Sequence, residues 1–441
     1  MMKDIKVKQG RIAGVELDGY TLFKGVPYAK PPVGELRWRA PQEPENWEGV
    51  YRADSWPCRS MQESGEGPTG FFDKEFYDAP EYLTAVSEDS LYLNIWTPAK
   101  GAGEKLPVAF WIHGGAFMGG FGHEKEFDGA AYCKRGVILV TISYRLGPIG
   151  FLAHPWLSEE SGKAGGAAVS GNYGILDQIA ALKWVWENIE AFGGDPDNIT
   201  IFGQSAGCMS VQTLVSSPLT KGMISKAILQ SGVGLSYDHT LAQAELEGVQ
   251  FAVNAGVNSL EEMRALTCEQ IFAAAGPIIM KGFPMKLTYT PVIDGVVLED
   301  SYDAAMERGK IHDIPYMVGS TMNDIFTQPE EVAGGNPGKV YEGCKKWGQS
   351  LLDNGRAPAW LYYFVRQLPG DDAGAFHSSE LWYMFGTCGR CWRPLTEGDR
   401  ALSERMVDYW TNFMKTGDPN GGGLPRWEPY RDDGGIMIFD V

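Results

Sequence analysis

The sequence predicts an α/β fold, a central and mostly parallel sheet flanked by helices. Short apolar runs rich in β-branched and aromatic residues recur along the chain, as strands buried on both faces require. Longer segments with helical spacing lie between them. Glycine and proline clusters punctuate the alternation.

The elements follow in order. Val108-Ala109-Phe110-Trp111-Ile112 reads as a strand running into His113-Gly114-Gly115, and 137–142 (VILVTI) reads as a second. Asn172 to Ile189 reads as a helix whose Ile175, Ile179, Leu182, Trp186 and Ile189 share one face. Gly193, Gly194 and Pro196 stop it, and Asn198 to Phe202 returns as a strand. A helix follows through Ser210–Val215, then a strand at Ala227–Gln230. Residues around 237–290 read as a helical, cap-like insertion within one domain spanning 1–441. Tyr316–Ser320 and Trp360–Val365 read as strands, and Glu397–Lys415 as a helix closed by Gly417-Asp418-Pro419.

The 441 residues carry a formal net charge of −18. That balance disfavours nucleic acid, which calls for basic patches, and anionic lipid surfaces. Small uncharged substrates fit better. No run reaches the roughly 18 apolar residues of a membrane span, and the N-terminus lacks the apolar core of a signal peptide. Seven scattered cysteines suit a reducing, cytoplasmic setting. Cys388-Gly389-Arg390-Cys391 has no second pair and no nearby histidine, so it reads as two thiols near a helix end. No metal or cofactor is expected, and oligomeric state is not legible.

The chemistry gathers around Gly203-Gln204-Ser205-Ala206-Gly207. A serine between glycines is weak evidence alone, but here it falls between a strand and a helix. Such a turn lifts the hydroxyl above the sheet and leaves the Ala206 N–H at a helix start, facing developing negative charge. Gly115 and Ala116, in the glycine-rich loop after strand 108–112, supply further oxyanion donors, while His113 fixes that loop. A serine hydroxyl also needs a base. Where serine occupies such a turn, the chain order is nucleophile, acid, histidine. That order favours His377 over His312. It allows Asp324 as the acid, with Asp313, Glu330 and Glu331 as competitors.

A family resemblance rests on several blocks: Phe23-Lys24-Gly25-Val26-Pro27-Tyr28-Ala29, Glu88-Asp89-Ser90-Leu91-Tyr92-Leu93-Asn94, and GNYGILDQIAALKWVWENIEAFGGDPDNITIFGQSAG over residues 171–207. Pro291–Gly295 and the late Gly-Asp-Pro also fit. Nearly end to end, the chain resembles the type-B carboxylesterases of the cholinesterase and p-nitrobenzyl esterase group. The resemblance implies an α/β-hydrolase fold with a helical cap and cofactor-free hydrolysis of carboxylic esters. It places the nucleophile on Ser205, the acid on Asp324 and the base on His377, and it places the oxyanion donors on Gly115, Ala116 and Ala206. Four departures accompany it. The acid is Asp where the family more often has Glu. Ser90 replaces a disulfide cysteine whose usual partner is matched by Cys58, so that bridge cannot form. Cys208 replaces a common glycine. The segment 325–373 is short, which implies a reduced cap and a more open cleft.

Candidate pocket residues are Phe71 and Phe72 at an entrance loop beginning near Thr69, Phe117 and Met118 after the oxyanion loop, and Trp382 after His377. Apolar walls with few polar anchors suit acyl or aryl esters. Three readings share this sequence: an ester hydrolase, a catalytically silent binding protein on the same fold, and an amidase, hydroxycinnamoyl or lactone hydrolase using the same groups.

Overall fold

The computed structural model describes residues 4–63, 70–235, 238–276, 288–327, 329–432 and 434–441. Its main sheet has ten strands: β1 (Val15–Leu17), β2 (Tyr20–Pro27), β3 (Tyr92–Thr97), β4 (Leu106–Ile112), β5 (Ile138–Ile142), β6 (Gly194–Gln204), β7 (Lys226–Gln230), β8 (Tyr316–Thr321), β9 (Trp360–Phe364) and β10 (Ile436–Phe439). They lie in the order β10-β9-β8-β7-β6-β4-β5-β3-β2-β1. Every neighbouring pair from β10 to β5 is parallel, while β3, β2 and β1 join antiparallel.

Strand β4 shows why its sequence is a continuous apolar run. Val108, Phe110 and Ile112 enter the core on one face of the sheet, and Ala109 and Trp111 enter the core on the other. Side chains alternate between faces, so a strand covered on both sides has no solvent position for a polar residue.

Helix Tyr173–Asn188 forms as expected, and Ile175, Leu182 and Ile189 of its expected face are buried, with Ile179 half-buried. Trp186 is 42% exposed, whereas Gln178, Val185 and Asp177 are buried. Both polar groups are satisfied inside. Asp177 accepts from the Arg145 backbone N–H and guanidinium at 2.7–3.0 Å, and Gln178 donates to Ser210 Oγ at 2.9 Å. Paired polar residues thus hold positions that an apolar count assigns to solvent.

The expected insertion contains helices Leu241–Ala255, Leu260–Arg264 and Cys268–Ala275, packed beside helices Pro155–Lys163 and Gly147–Phe151. Residues 236–237 and 277–287 of that stretch lie outside the described residues, as does Thr69 of the expected entrance loop. The 325–373 segment holds one long helix, Gly338–Asp353, and a short one, Pro329–Ala333.

The residue facing Ser90 is not Cys58. Ser60 Oγ lies 3.0 Å from Ser90 Oγ and donates to Tyr144 O at 2.7 Å. Cys58 is a free thiol two residues earlier. The side chain opposite Ser90 is therefore Ser60, not the expected Cys58.

Candidate active site

Strands β4, β6 and β8 end at one edge of the parallel sheet, the side where open α/β sheets bind ligands. Ser205 follows β6 there with φ 58° and ψ −124°, a costly conformation for a residue with a side chain. Its N–H donates to Gln230 O at 2.9 Å. The flanking glycines are steric necessities. A Cβ on Gly207 would stand 2.1 Å from Ile112 O, and one on Gly203 would stand 2.5 Å from the Gly207 carbonyl.

The oxyanion loop follows β4. Gly115, Ala116 and Phe117 all take positive φ, at 93°, 55° and 62°. The Gly115, Ala116 and Ala206 N–H groups have no hydrogen-bond acceptor among the described residues. His113 lies beneath the loop, stacked 4.4 Å from Tyr144, with Nδ1 2.9 Å from Gly114 O. Burial pushes its pKa down to about 4, so it is a neutral structural group at pH 7.

The loops after β8 and β9 converge. Asn323 N–H donates to Ala375 O at 3.0 Å, and Ala375 N–H donates to Asn323 Oδ1 at 2.9 Å. This pairing sets His377 Nδ1 2.5 Å from Asp324 Oδ1. Asp324 is buried and also accepts from the Thr321 and Ile325 N–H groups at 3.1 and 2.8 Å. Burial alone would raise its pKa. The attraction of His377 and these hydrogen bonds outweigh that and hold the carboxyl below its ordinary value. With Nδ1–H donated to Asp324, His377 Nε2 is left as an acceptor, 3.1 Å from Gln204 Nε2. Gln204 directly precedes Ser205, so the imidazole lies against the turn that carries the hydroxyl.

The competitors lie elsewhere. His312 and Asp313 precede β8, at the far end of the strand from Asp324, and His312 Nε2 lies 3.4 Å from Ser217 O. Glu330 and Glu331 sit on the short helix 329–333.

The pocket candidates divide. Phe71 and Phe72 open a short helix, Phe71–Phe76, rather than a loop, and are 41% and 44% exposed. Phe71 sets its edge on Phe376, next to His377, at 5.0 Å. Met118 is nearly buried, and Phe117 is fully buried with its edge on Phe151. Trp382 is core: it stacks on Phe76, and its indole N–H donates to Glu75 at 2.9 Å. Phe117 and Trp382, with no exposed surface, are packing residues.

Sequence reasoning missed Gln204 as a contact of His377, although it lies inside the motif. It also missed Glu380. That fully buried carboxyl has its pKa raised to about 7 by burial and the nearby Asp324 charge, and Gln230 donates to it at 3.4 Å. Among the described residues, no group of three or more His, Cys, Asp or Glu side chains could hold a metal ion. Cys388 and Cys391 instead contact Trp382 O and Glu75, and burial raises both thiols, to about 11 and about 12.

The Carboxylesterase family profile matches residues 2–335 and 344–439. The chain belongs to that family. Its carboxylesterase relatives include the fumonisin B1 esterase of Sphingopyxis macrogoltabida, 34% identical over 98% of this chain and 85% of that protein. The para-nitrobenzyl esterase of Bacillus subtilis (strain 168) is 33% identical over 97% and 93%. Among solved structures, a PNB esterase superposes with TM-score 0.84 at 31% identity, covering 100% of this chain and 96% of the other. A Geobacillus stearothermophilus carboxylesterase superposes with TM-score 0.81 at 34% identity, covering 99% and 96%. This carboxylesterase therefore has the α/β-hydrolase fold and hydrolyses carboxylic esters by the serine mechanism general to its family. No helix among the described residues is long and apolar enough to cross a membrane.

Proposed function

We propose that Ser205, His377 and Asp324 carry the ester hydrolysis, with the Gly115, Ala116 and Ala206 N–H groups as the oxyanion hole. The observation that carries this reading is the His377–Asp324 contact of 2.5 Å beside a serine on a strained, glycine-flanked turn. Ser205 Oγ attacks the ester carbonyl while His377 Nε2 takes its proton. Asp324 keeps the imidazole in the required tautomer and stabilises the imidazolium. The three free N–H groups hold the oxyanion. His377 then protonates the leaving alcohol, and water repeats the sequence on the acyl-enzyme.

For substrates, we infer uncharged esters with apolar acyl or aryl groups. The exposed Phe71 and Phe72 beside Phe376 support this, because they offer an aromatic rim near His377. Helices 241–275, packed beside helices 147–151 and 155–163, support reading them as a cap-like insertion in a single domain. The seven free cysteines support a reducing, cytoplasmic setting.

Ser205→Ala is expected to lower kcat on p-nitrophenyl esters by about 10⁴-fold or more. A series of acyl chain lengths should show kcat/KM rising with apolar length. Activity surviving the substitution removes Ser205 from its role, and a wild-type chain inert on the whole series restores the binding-protein reading.

A further inference from the structure

We propose that Gln62 is a positioning residue for the oxyanion donors, holding the loop 115–120 in the shape that aims the Gly115 and Ala116 N–H groups. The proposal rests on the reading of those donors given above.

The Gln62 carboxamide ties both sides of one residue's backbone. Its Oε1 accepts from Gly120 N–H at 3.1 Å, and its Nε2 donates to Gly120 O at 3.1 Å. The same Nε2 donates to Ser60 O at 3.1 Å, which anchors Gln62 to the short strand Arg59–Ser60. Among the described residues, no other side chain from outside the loop hydrogen-bonds to residues 115–120.

Gly120 is coupled to the donors through the loop itself. Gly115 O accepts from the Met118 and Gly119 N–H groups at 2.9 and 3.0 Å. Gly115 and Gly119 are in tight apposition: a Cβ on Gly115 would stand 2.2 Å from Gly119 O. A shift of the 119–120 peptide therefore carries to the 115–116 peptide. The loop has reason to shift, because Ala116 and Phe117 hold positive φ despite their side chains. Such conformations persist only where the surroundings over-determine them. An oxyanion hole works because its donors are already aimed when charge develops. A loosened clamp thus costs transition-state stabilisation and leaves ground-state binding intact.

The test uses Gln62→Ala and Gln62→Glu in the full chain, with thermal melts to establish folding. On p-nitrophenyl butyrate, Gln62→Ala is expected to lower kcat by about 10–100-fold with KM within about threefold. That is less than the roughly 10²–10³ typical of deleting a donor outright. Affinity for a trifluoromethyl ketone, whose serine adduct places an oxyanion in the hole, should fall in parallel. Affinity for the corresponding alcohol, which places none, should not move. Gln62→Glu gives the sharper readout. An ionised carboxylate accepts from Gly120 N–H but repels Gly120 O, and protonation restores a donor. Its kcat relative to wild type should therefore rise as pH falls from about 7 to about 5, while the same ratio for Gln62→Ala stays flat. Wild-type kcat in folded Gln62→Ala overturns the proposal. So does equal weakening of ketone and alcohol, or a flat ratio for Gln62→Glu. Failure of the ketone to form an adduct on Ser205 in the wild-type chain overturns instead the underlying site assignment.

Discussion

Asp324 shows how much of the site one carboxylate sets. It is buried, accepts two backbone N–H groups and accepts the Nδ1–H of His377 in a hydrogen bond of 2.5 Å. Asp324→Asn keeps the shape but presents an amide that can donate to Nδ1, so the ring carries its proton on Nε2 and cannot accept one from Ser205. The expected result is a kcat loss of about 10⁴-fold with little change in KM, read by steady-state assay. Gly207→Ala fails for a different reason, because its Cβ has 2.1 Å to Ile112 O. Overpacking of this kind costs about 1–3 kcal/mol, so a lowered melting temperature should accompany lost activity. Ser205 and its glycines were legible because a strained turn tolerates few residue types. Gln204 and Gln62 were not, because glutamine in a loop carries no pattern and their roles appear only once distant loops meet. The acid and the base needed chain order and family resemblance, since sequence alone does not bring residues 324 and 377 together.

Elements were legible where one physical signal dominates. Strand β4 announced itself because both faces are covered. Helix 173–188 was found with most of its buried face, but Trp186 is exposed while Asp177 and Gln178 are buried with partners. The segment that carries the aromatic helix 71–76 gives a sharper test. It runs between two short paired strands, Arg59–Ser60 and Val86–Ser87. Its ends meet through Ser60 and Ser90 at 3.0 Å, not through Cys58. Ser60→Cys with Ser90→Cys is therefore expected to form a disulfide under oxidising conditions, whereas Ser90→Cys alone should not bridge to Cys58. Chain entropy for a loop of about 30 residues gives about 3–4 kcal/mol of stabilisation, less any native strain. Non-reducing peptide mapping and melts with and without reductant decide it. A disulfide joining Cys58 to the introduced thiol in the Ser90→Cys single variant would overturn the observed register.

Over the whole molecule, buried carboxyls shape how stability depends on pH. Burial raises Glu124 and Glu380 each to about 7, and raises Glu126 as well. An unfolded glutamate releases its proton near 4.5, so between about 4.5 and 7 the folded chain binds more protons than the unfolded one. Stability then falls as pH rises through that window. Arg264 and Arg39 lower Glu160 to about 2 despite its partial burial, so its contribution is lost in the other direction, as pH falls below 4.5. Buried His113 and His123, lowered to about 4 and about 3, oppose the glutamate term below about pH 6.5, so the decline in melting temperature is expected between about pH 6.5 and 8. Glu380 isolates the alkaline side, because it is fully buried and its Oε2 has no hydrogen-bond partner among the described residues. A shift from 4.5 to about 7 corresponds to roughly 3 kcal/mol at pH 8. Glu380→Gln keeps the size and removes the ionisation. Its melting temperature should match the wild type near pH ~4.5 and exceed it at pH ~8, flattening the decline in a series of melts. Parallel curves for the two proteins across that range would mean that Glu380 is not the group whose deprotonation weakens the fold.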